Sequence, residues 1–136
     1  MYNFIMFKLN NIIQNFTVTD KNKKQYGEVH TDFRLINNIL DLIPKKYYKN
    51  PDLKWLDPAN GIGNFPIMIY KRLMDGLKEV PGYTDKNVRS NHIITKMLYM
   101  IEIDPTNVSI SKQIFGEDAN ILLCDFNDFN TSPDCM

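Results

Sequence analysis

The chain reads as an α/β domain built on parallel central strands flanked by helices, and three observations predict it. Segments with helical spacing alternate with short apolar runs, in the order helix, strand, helix, strand, helix, strand. The runs "MLYMI" and "NILLC" are continuously apolar rather than alternating, as expected of parallel strands covered on both faces. Each apolar run leads into an acidic residue and a turn signal. Strands alternating with helices imply right-handed crossovers and a sheet layered between helices.

Residues 1–20 fit either an irregular strand or a short amphipathic helix. From Thr31 the pattern clears. "TDFRLINNILDLIP" places Leu35, Ile36, Ile39, Leu40 and Ile43 at the spacing of one helix face. Thr31 or Asp32 stands where a cap belongs, and Pro44 stops the helix. "LKWL" is a short strand ending at Asp57. After the loop "DPANGIG", Asn64 is placed to cap a helix whose Tyr70, Leu73, Met74 and Leu77 share a face, and Pro81-Gly82 closes it. The polar stretch "YTDKNVRSN" leads into "HIITKMLYMIEID", where a short helical piece passes into a strand from Met97 to Ile101. "PTNVSISKQIFG" is a helix with Pro105 in its first turn and Gly116 near its end. "NILLCDF" supplies a third buried strand.

Bulk properties narrow the class. At 136 residues, 43% hydrophobic and 24% charged, the composition is that of one globular domain. No apolar run approaches a membrane span, and the N-terminus has neither a basic leading region nor a small-residue cleavage site. The expected setting is cytoplasmic, or the host cytoplasm for a viral source, with no membrane partner. Formal net charge is zero. A stand-alone DNA binder needs basic surface to neutralise phosphates, so that surface must lie elsewhere if DNA is met. "KNKK" at Lys21 to Lys24 reads as a solvated linker. Cys124 and Cys135 follow no metal spacing and are expected to be reduced thiols.

In parallel sheets the ligand lies beyond the carboxyl ends of the strands. Three loops would converge there: Asp57 to Asn64, Glu102 to Pro105, and Asp125 to Phe126. The first discriminates between ligands. A dinucleotide loop reads G-x-G-x-x-G and brings a pyrophosphate to a helix N-terminus. Here Gly61 and Gly63 are followed by Asn64, Phe65 and Pro66, and Asp57 at the loop entrance would repel phosphate. S-adenosylmethionine suits the pattern better, since it carries an ammonium, a sulfonium, a ribose diol and an adenine but no phosphate. On that reading the glycines admit the methionyl moiety and Asp57 favours its cationic end. Glu102, or failing it Asp104, accepts the ribose hydroxyls, while Asp125 takes the adenine amino group with Phe126 against the ring. Singly, each has a plainer reading: a G-x-G is a common turn, strand-end acids are often solvated, and Asp125 can cap the turn after its strand. Three acids at successive strand ends are harder to dismiss together. His30 and His92 have no neighbours suggesting a triad or a metal.

The segments "YGEVHTDFRLINNILDLIP", "WLDPANGIGNFP", "MLYMIEIDP" and "NILLCDF" together resemble the adenine-N6-specific DNA methyltransferases, in particular Type II-like restriction–modification methylases carrying a G-E-[VF]-[FYH]-T-P segment. The resemblance runs from about Tyr26 to Phe126, with four motifs in family order. It implies a Rossmann-like methyltransferase fold, incomplete here. Residues 1–25 would be an N-terminal extension and 26–136 the N-terminal part of the S-adenosylmethionine-binding domain. It also implies a cofactor site in which His30 and Thr31 face the methionine carboxylate. Asp57, Pro58, Ala59, Gly61 and Gly63 would form the cofactor loop, Glu102 would hold the ribose, and Asp125 and Phe126 the adenine.

Three departures matter. Asp32 stands where the family has Pro, and a longer insert centred on Pro81 to Asn91 is expected to be a surface loop. The larger departure concerns chemistry. The family's N-P-P-[FY] tetrapeptide accepts the hydrogens of the target amino group and stacks on the flipped base. No two prolines are adjacent in these 136 residues, and neither "KNPD" nor "TSPD" substitutes. No catalytic residue is therefore assigned. The expectation is the cofactor-binding part of a DNA adenine methyltransferase, truncated before its catalytic motif. DNA would be met through missing or partner regions, with a complementing C-terminal chain as a possible partner. The alternative is a non-catalytic interaction module: a gene remnant, or half of a split methyltransferase. A nicotinamide-dependent oxidoreductase ranks below both.

Overall fold

The structure is a computed structural model, and it describes residues 32–61 and 63–128. His30 and Thr31 lie outside the described residues, as do the N-terminal extension and Cys135. The described chain is mixed α/β, with a three-stranded parallel sheet flanked by helices, compatible with a Rossmann-like fold.

Helix α1 spans Phe33–Leu40. Of the two candidate caps, Asp32 is the one seen in place: its carboxylate accepts the Arg34 amide at 2.7 Å. Ile36 and Leu40 are buried, whereas Leu35 and Ile39 are exposed, so the apolar stripe meets the core along only one of its edges. A second helix, α2 at Lys45–Tyr48, was not expected from the sequence. Pro44 ends the α1 region and serves as N-cap of α2, a position that suits its fixed φ. Tyr48 makes this short turn a structural joint. Its hydroxyl donates to the Leu40 carbonyl at 2.7 Å, and its ring stacks on Trp55 at 5.1 Å.

Strand β1 is Trp55–Asp57, and helix α3 follows at Asn64–Gly76. Tyr70, Leu73, Met74 and Leu77 are buried along one face, as the spacing predicts. Arg72 ties α3 to α1 by donating to the Asn37 carbonyl at 3.0 Å and the Asp41 carboxylate at 2.7 Å. The expected surface loop around residues 81–91 is instead partly a helix, α4 at Lys86–His92. Asp85 caps it through the amides of Asn87 and Val88, and buried Arg89 donates back to the Tyr83 carbonyl. A single π-helical turn, Ile93–Met97, then delivers the chain into β2, Leu98–Glu102. Helix α5 spans Pro105–Phe115, with Pro at its first turn and Gly116 at its C-cap, and β3 is Asn120–Leu123.

The strand order is β1-β2-β3, with both pairings parallel. Two right-handed crossovers running in one direction must place both connecting helices on the same face. The packing agrees: Leu98 and Met100 share a core with Ile67, Tyr70 and Leu73 of α3 and with Ile114 and Phe115 of α5. Tyr70 and Phe115 meet edge to face at 6.2 Å. The opposite face carries Leu56, Tyr99, Ile101 and Leu122 by strand alternation and register. Around them lies an open hollow of about 470 Å³ that no residue of a described helix lines. The expected cover on both faces is thus present on one face among the described residues. Nor is β3 a fully buried strand, since Leu122 on that face and Leu123 on the helix side are both exposed. Cys124, expected as a free thiol, is disulfide-bonded.

Candidate functional site

The carboxyl ends of the three strands form one continuous edge. Beyond β1, the Asn60 amide donates to the Ile101 carbonyl at 3.0 Å; beyond β3, the Cys124 amide donates to the Glu102 carbonyl at 2.9 Å. The register sets Asp57 level with Met100 and Glu102 level with Leu123. Met100 and Glu102, two residues apart, point to the same face. Asp57 and Glu102 therefore both face the helix side, with Cα atoms roughly 8 Å apart by strand spacing and rise.

Asp57 ends β1 half-buried. One carboxylate oxygen accepts the Ala59 amide at 3.0 Å, and the other is buried with no hydrogen-bond partner among the described residues. Burial raises the Asp57 pKa above the usual carboxylate range, and the Ala59 bond offsets part of that rise. Pro58 and Ala59 are on the loop that follows, where Ala59 is exposed. Gly61 has φ +57°, and a Cβ there would meet nothing within 4 Å, so the backbone at this point borders open space. Gly63 has φ +94° and is itself the N-cap of α3, with its carbonyl accepting the Ile67 amide at 2.9 Å. The sequence suggested Asn64 as that cap. Glycine's left-handed conformation starts the helix one residue earlier, and Gly63 itself has no side chain with which to cap it. The first turn of α3 brings the positive end of its helix dipole to the sheet edge.

Glu102 is buried at the tip of β2. Its two oxygens accept the Ile103 amide at 2.9 Å and the Asn107 side-chain amide at 3.0 Å. Asp104, the second choice for the ribose, is the N-cap of α5, where its carboxylate accepts the Thr106 amide at 2.9 Å. That geometry commits it to the helix start. Asp125 closes a turn, accepting the Asn127 amide at 2.9 Å. Phe126 opens a 3₁₀ turn, Phe126–Asp128, and is 47% exposed, so it is not a core residue. His92 is occupied structurally: its Nε2 bonds the Pro51 carbonyl at 2.8 Å and its ring packs on Tyr83.

The sequence did not single out Ile103, which is 41% exposed between two buried acids at the tip of β2. Nor did it single out three buried polar residues behind the edge: Asn60, Asn107 and Ser111. A signal for the last two exists, since they sit four apart on a helix whose neighbouring inward positions are apolar. Among the described residues no cluster of His, Cys, Asp and Glu could hold a metal, and no helix is long and apolar enough to cross a membrane.

The edge thus offers a buried carboxylate oxygen with no donor among the described residues, a helix start at a left-handed glycine, a second buried carboxylate held in place, and an exposed aromatic ring. No family model matches the chain. A protein of Mycoplasma pneumoniae (strain ATCC 29342 / M129 / Subtype 1), named "Uncharacterized adenine-specific methylase", is 40% identical over 77 residues, which make up 54% of this chain and 18% of that protein. The chain therefore spans less than a fifth of the length of this curated relative. The partial match supports kinship with methylases and nothing finer.

Proposed function

We propose that this chain is the cofactor-binding part of an S-adenosylmethionine-dependent DNA methyltransferase acting on the adenine amino group. The observation that carries the reading is a pairing on one sheet edge: a buried Asp57 oxygen that no described residue satisfies, beside the left-handed glycine start of α3. An α-amino acid presents opposite charges on adjacent groups, and this edge presents their complements: a carboxylate for the ammonium and helix amides for the carboxylate. A phosphate-bearing dinucleotide would set an anion beside Asp57 instead. Glu102, fixed by Ile103 and Asn107, is the ribose acceptor, and its anchoring makes it a better candidate than Asp104. Asp125 and Phe126 remain the proposed adenine contacts, and His30 and Thr31 the proposed cover over the methionine end.

When bound, the cofactor supplies an electrophilic methyl group. The chain's own residues bind and orient it, a contribution made through alignment and fixed dipoles. Positioning of a target base falls to groups outside these residues, because the tetrapeptide that would accept the amino hydrogens is absent from them. DNA and a complementing chain are accordingly the proposed partners. A second reading, one half of a split methyltransferase, is favoured by the apolar sheet face that no described helix lines.

Calorimetric titration with S-adenosylhomocysteine, run beside a nicotinamide dinucleotide, tests the reading. Saturable binding of the homocysteine compound alone is expected. Binding of the dinucleotide alone would remove the methyl-donor assignment in both forms.

A further inference from the structure

Behind the sheet edge, one face of α5 touches both halves of the candidate site. Asn107 and Ser111 are each fully buried and sit four residues apart, stacked along the helix by roughly 6 Å. Asn107 donates through its side-chain amide to Glu102 Oε2 at 3.0 Å. Ser111 Oγ accepts from the side-chain amide of Asn60 at 2.7 Å. Asn60 is 4% exposed, and its backbone amide is bonded in turn to Ile101, the neighbour of Glu102. Its Nδ2 also reaches the Gly61 carbonyl at 3.2 Å, so its side chain braces the glycine loop from inside. A loop with two left-handed glycines has little stiffness of its own. These bonds supply it.

We infer that the Asn107–Ser111 face of α5 is a positioning element, which sets the glycine loop and Glu102 at a fixed separation and so matches the distance between the amino-acid end and the ribose of one ligand. The inference rests on the proposed methyl-donor site and goes beyond it in naming residues that touch no ligand. Ser111 and Asn60 govern the amino-acid end, and Asn107 governs the ribose end. The two ends are therefore separable by ligands that carry one or both.

The test is calorimetric titration of the full chain with S-adenosylhomocysteine and, separately, with adenosine, which lacks the amino-acid tail. Ser111→Ala is expected to weaken S-adenosylhomocysteine about fivefold to tenfold while leaving adenosine within about twofold. Asn107→Leu is expected to weaken both ligands by about the same factor as each other. Should Ser111→Ala unfold, as judged by circular dichroism, Asn60→Ser breaks the same bond from the other side and carries the same expectation. A merely structural role would weaken both ligands in step with the loss of melting temperature. Wild-type binding of both ligands, with Ser111→Ala and Asn60→Ser affecting the two equally or not at all, overturns the inference and leaves the site assignment standing. Failure of the wild-type chain to bind either ligand overturns both.

Discussion

Replacing Asp57 with asparagine separates the cost of the site from its use. In the wild-type fold the carboxyl is half-buried, one of its oxygens has no partner among the described residues, and its pKa stands above the ordinary carboxylate range because of burial. The native state then binds the proton more tightly than the unfolded chain does. Stability contributed by this group is present at low pH and declines as pH rises through the raised native pKa. The Asp57→Asn side chain would keep the acceptor for the Ala59 amide and carry no charge. The variant should lack that decline, and its Tm at neutral pH should not fall below that of wild type. Ligand binding moves the other way. A hydrogen bond between a carboxylate and an ammonium contributes about 1.5–3 kcal/mol, so its loss weakens S-adenosylhomocysteine by about 10- to 100-fold at neutral pH. Wild-type affinity should also fall as the solution is acidified through the Asp57 pKa, while the weak residual affinity of Asp57→Asn stays level. Thermal melts and calorimetry between about pH 4 and 8 read both effects. Equal affinity in variant and wild type, or an unchanged pH profile of the melts, would refute the role given to this carboxylate.

Three further outcomes follow from the same geometry. Gly61→Ala places a Cβ in open space but at φ +57°, so the fold should lose about 1–2 kcal/mol from backbone strain, and the cofactor analogue should bind more weakly because the new methyl borders the crevice; melts and titration report the two separately. Gly76→Ala gains helix propensity of about 1 kcal/mol, yet its Cβ would collide with the Tyr48 carbonyl oxygen and lie 2.8 Å from the carbonyl carbon, so Tm should fall by several degrees, and a rise would show that α2 and α3 are not packed this closely. The purified 136-residue chain should transfer no methyl group to DNA in a radiolabel assay, and measurable transfer would show that the base-positioning groups lie within it.

Much of the fold was legible because its signals are local. Asp32, Pro105 and Gly116 mark helix ends through capping and fixed φ, and "LYMIE" has the unbroken apolar run of a central parallel strand. The helix at Lys86–His92 was hidden because its inward residues, Arg89 and Ser90, are polar and their burial depends on the Tyr83 carbonyl and the Tyr70 hydroxyl. The cover expected on the second face of the sheet is not found among the described residues. Continuous apolar strands report that both faces avoid water, but not which part of a chain covers each. In the candidate site, Asp57, Gly61 and Gly63 stand out in the sequence by charge and spacing. Asn60 does not, since its partner Ser111 is 51 residues away, and the four-residue spacing of Asn107 and Ser111 marks a shared helix face without naming the partners that face meets. The sequence ranked Glu102 ahead of Asp104, and what it could not show is how their tertiary bonds differ: one is held by Asn107, the other caps α5.

The most direct measurement is an amide chemical-shift map of the isotopically labelled chain, recorded during titration with S-adenosylhomocysteine. The account predicts that the largest changes fall on residues 57–63, on Glu102 and Ile103, and on Asp125 and Phe126. Changes confined to the sheet face around Tyr99 and Leu122 that no described helix lines, or to Lys45 and Lys71 away from the strands' carboxyl ends, would contradict it.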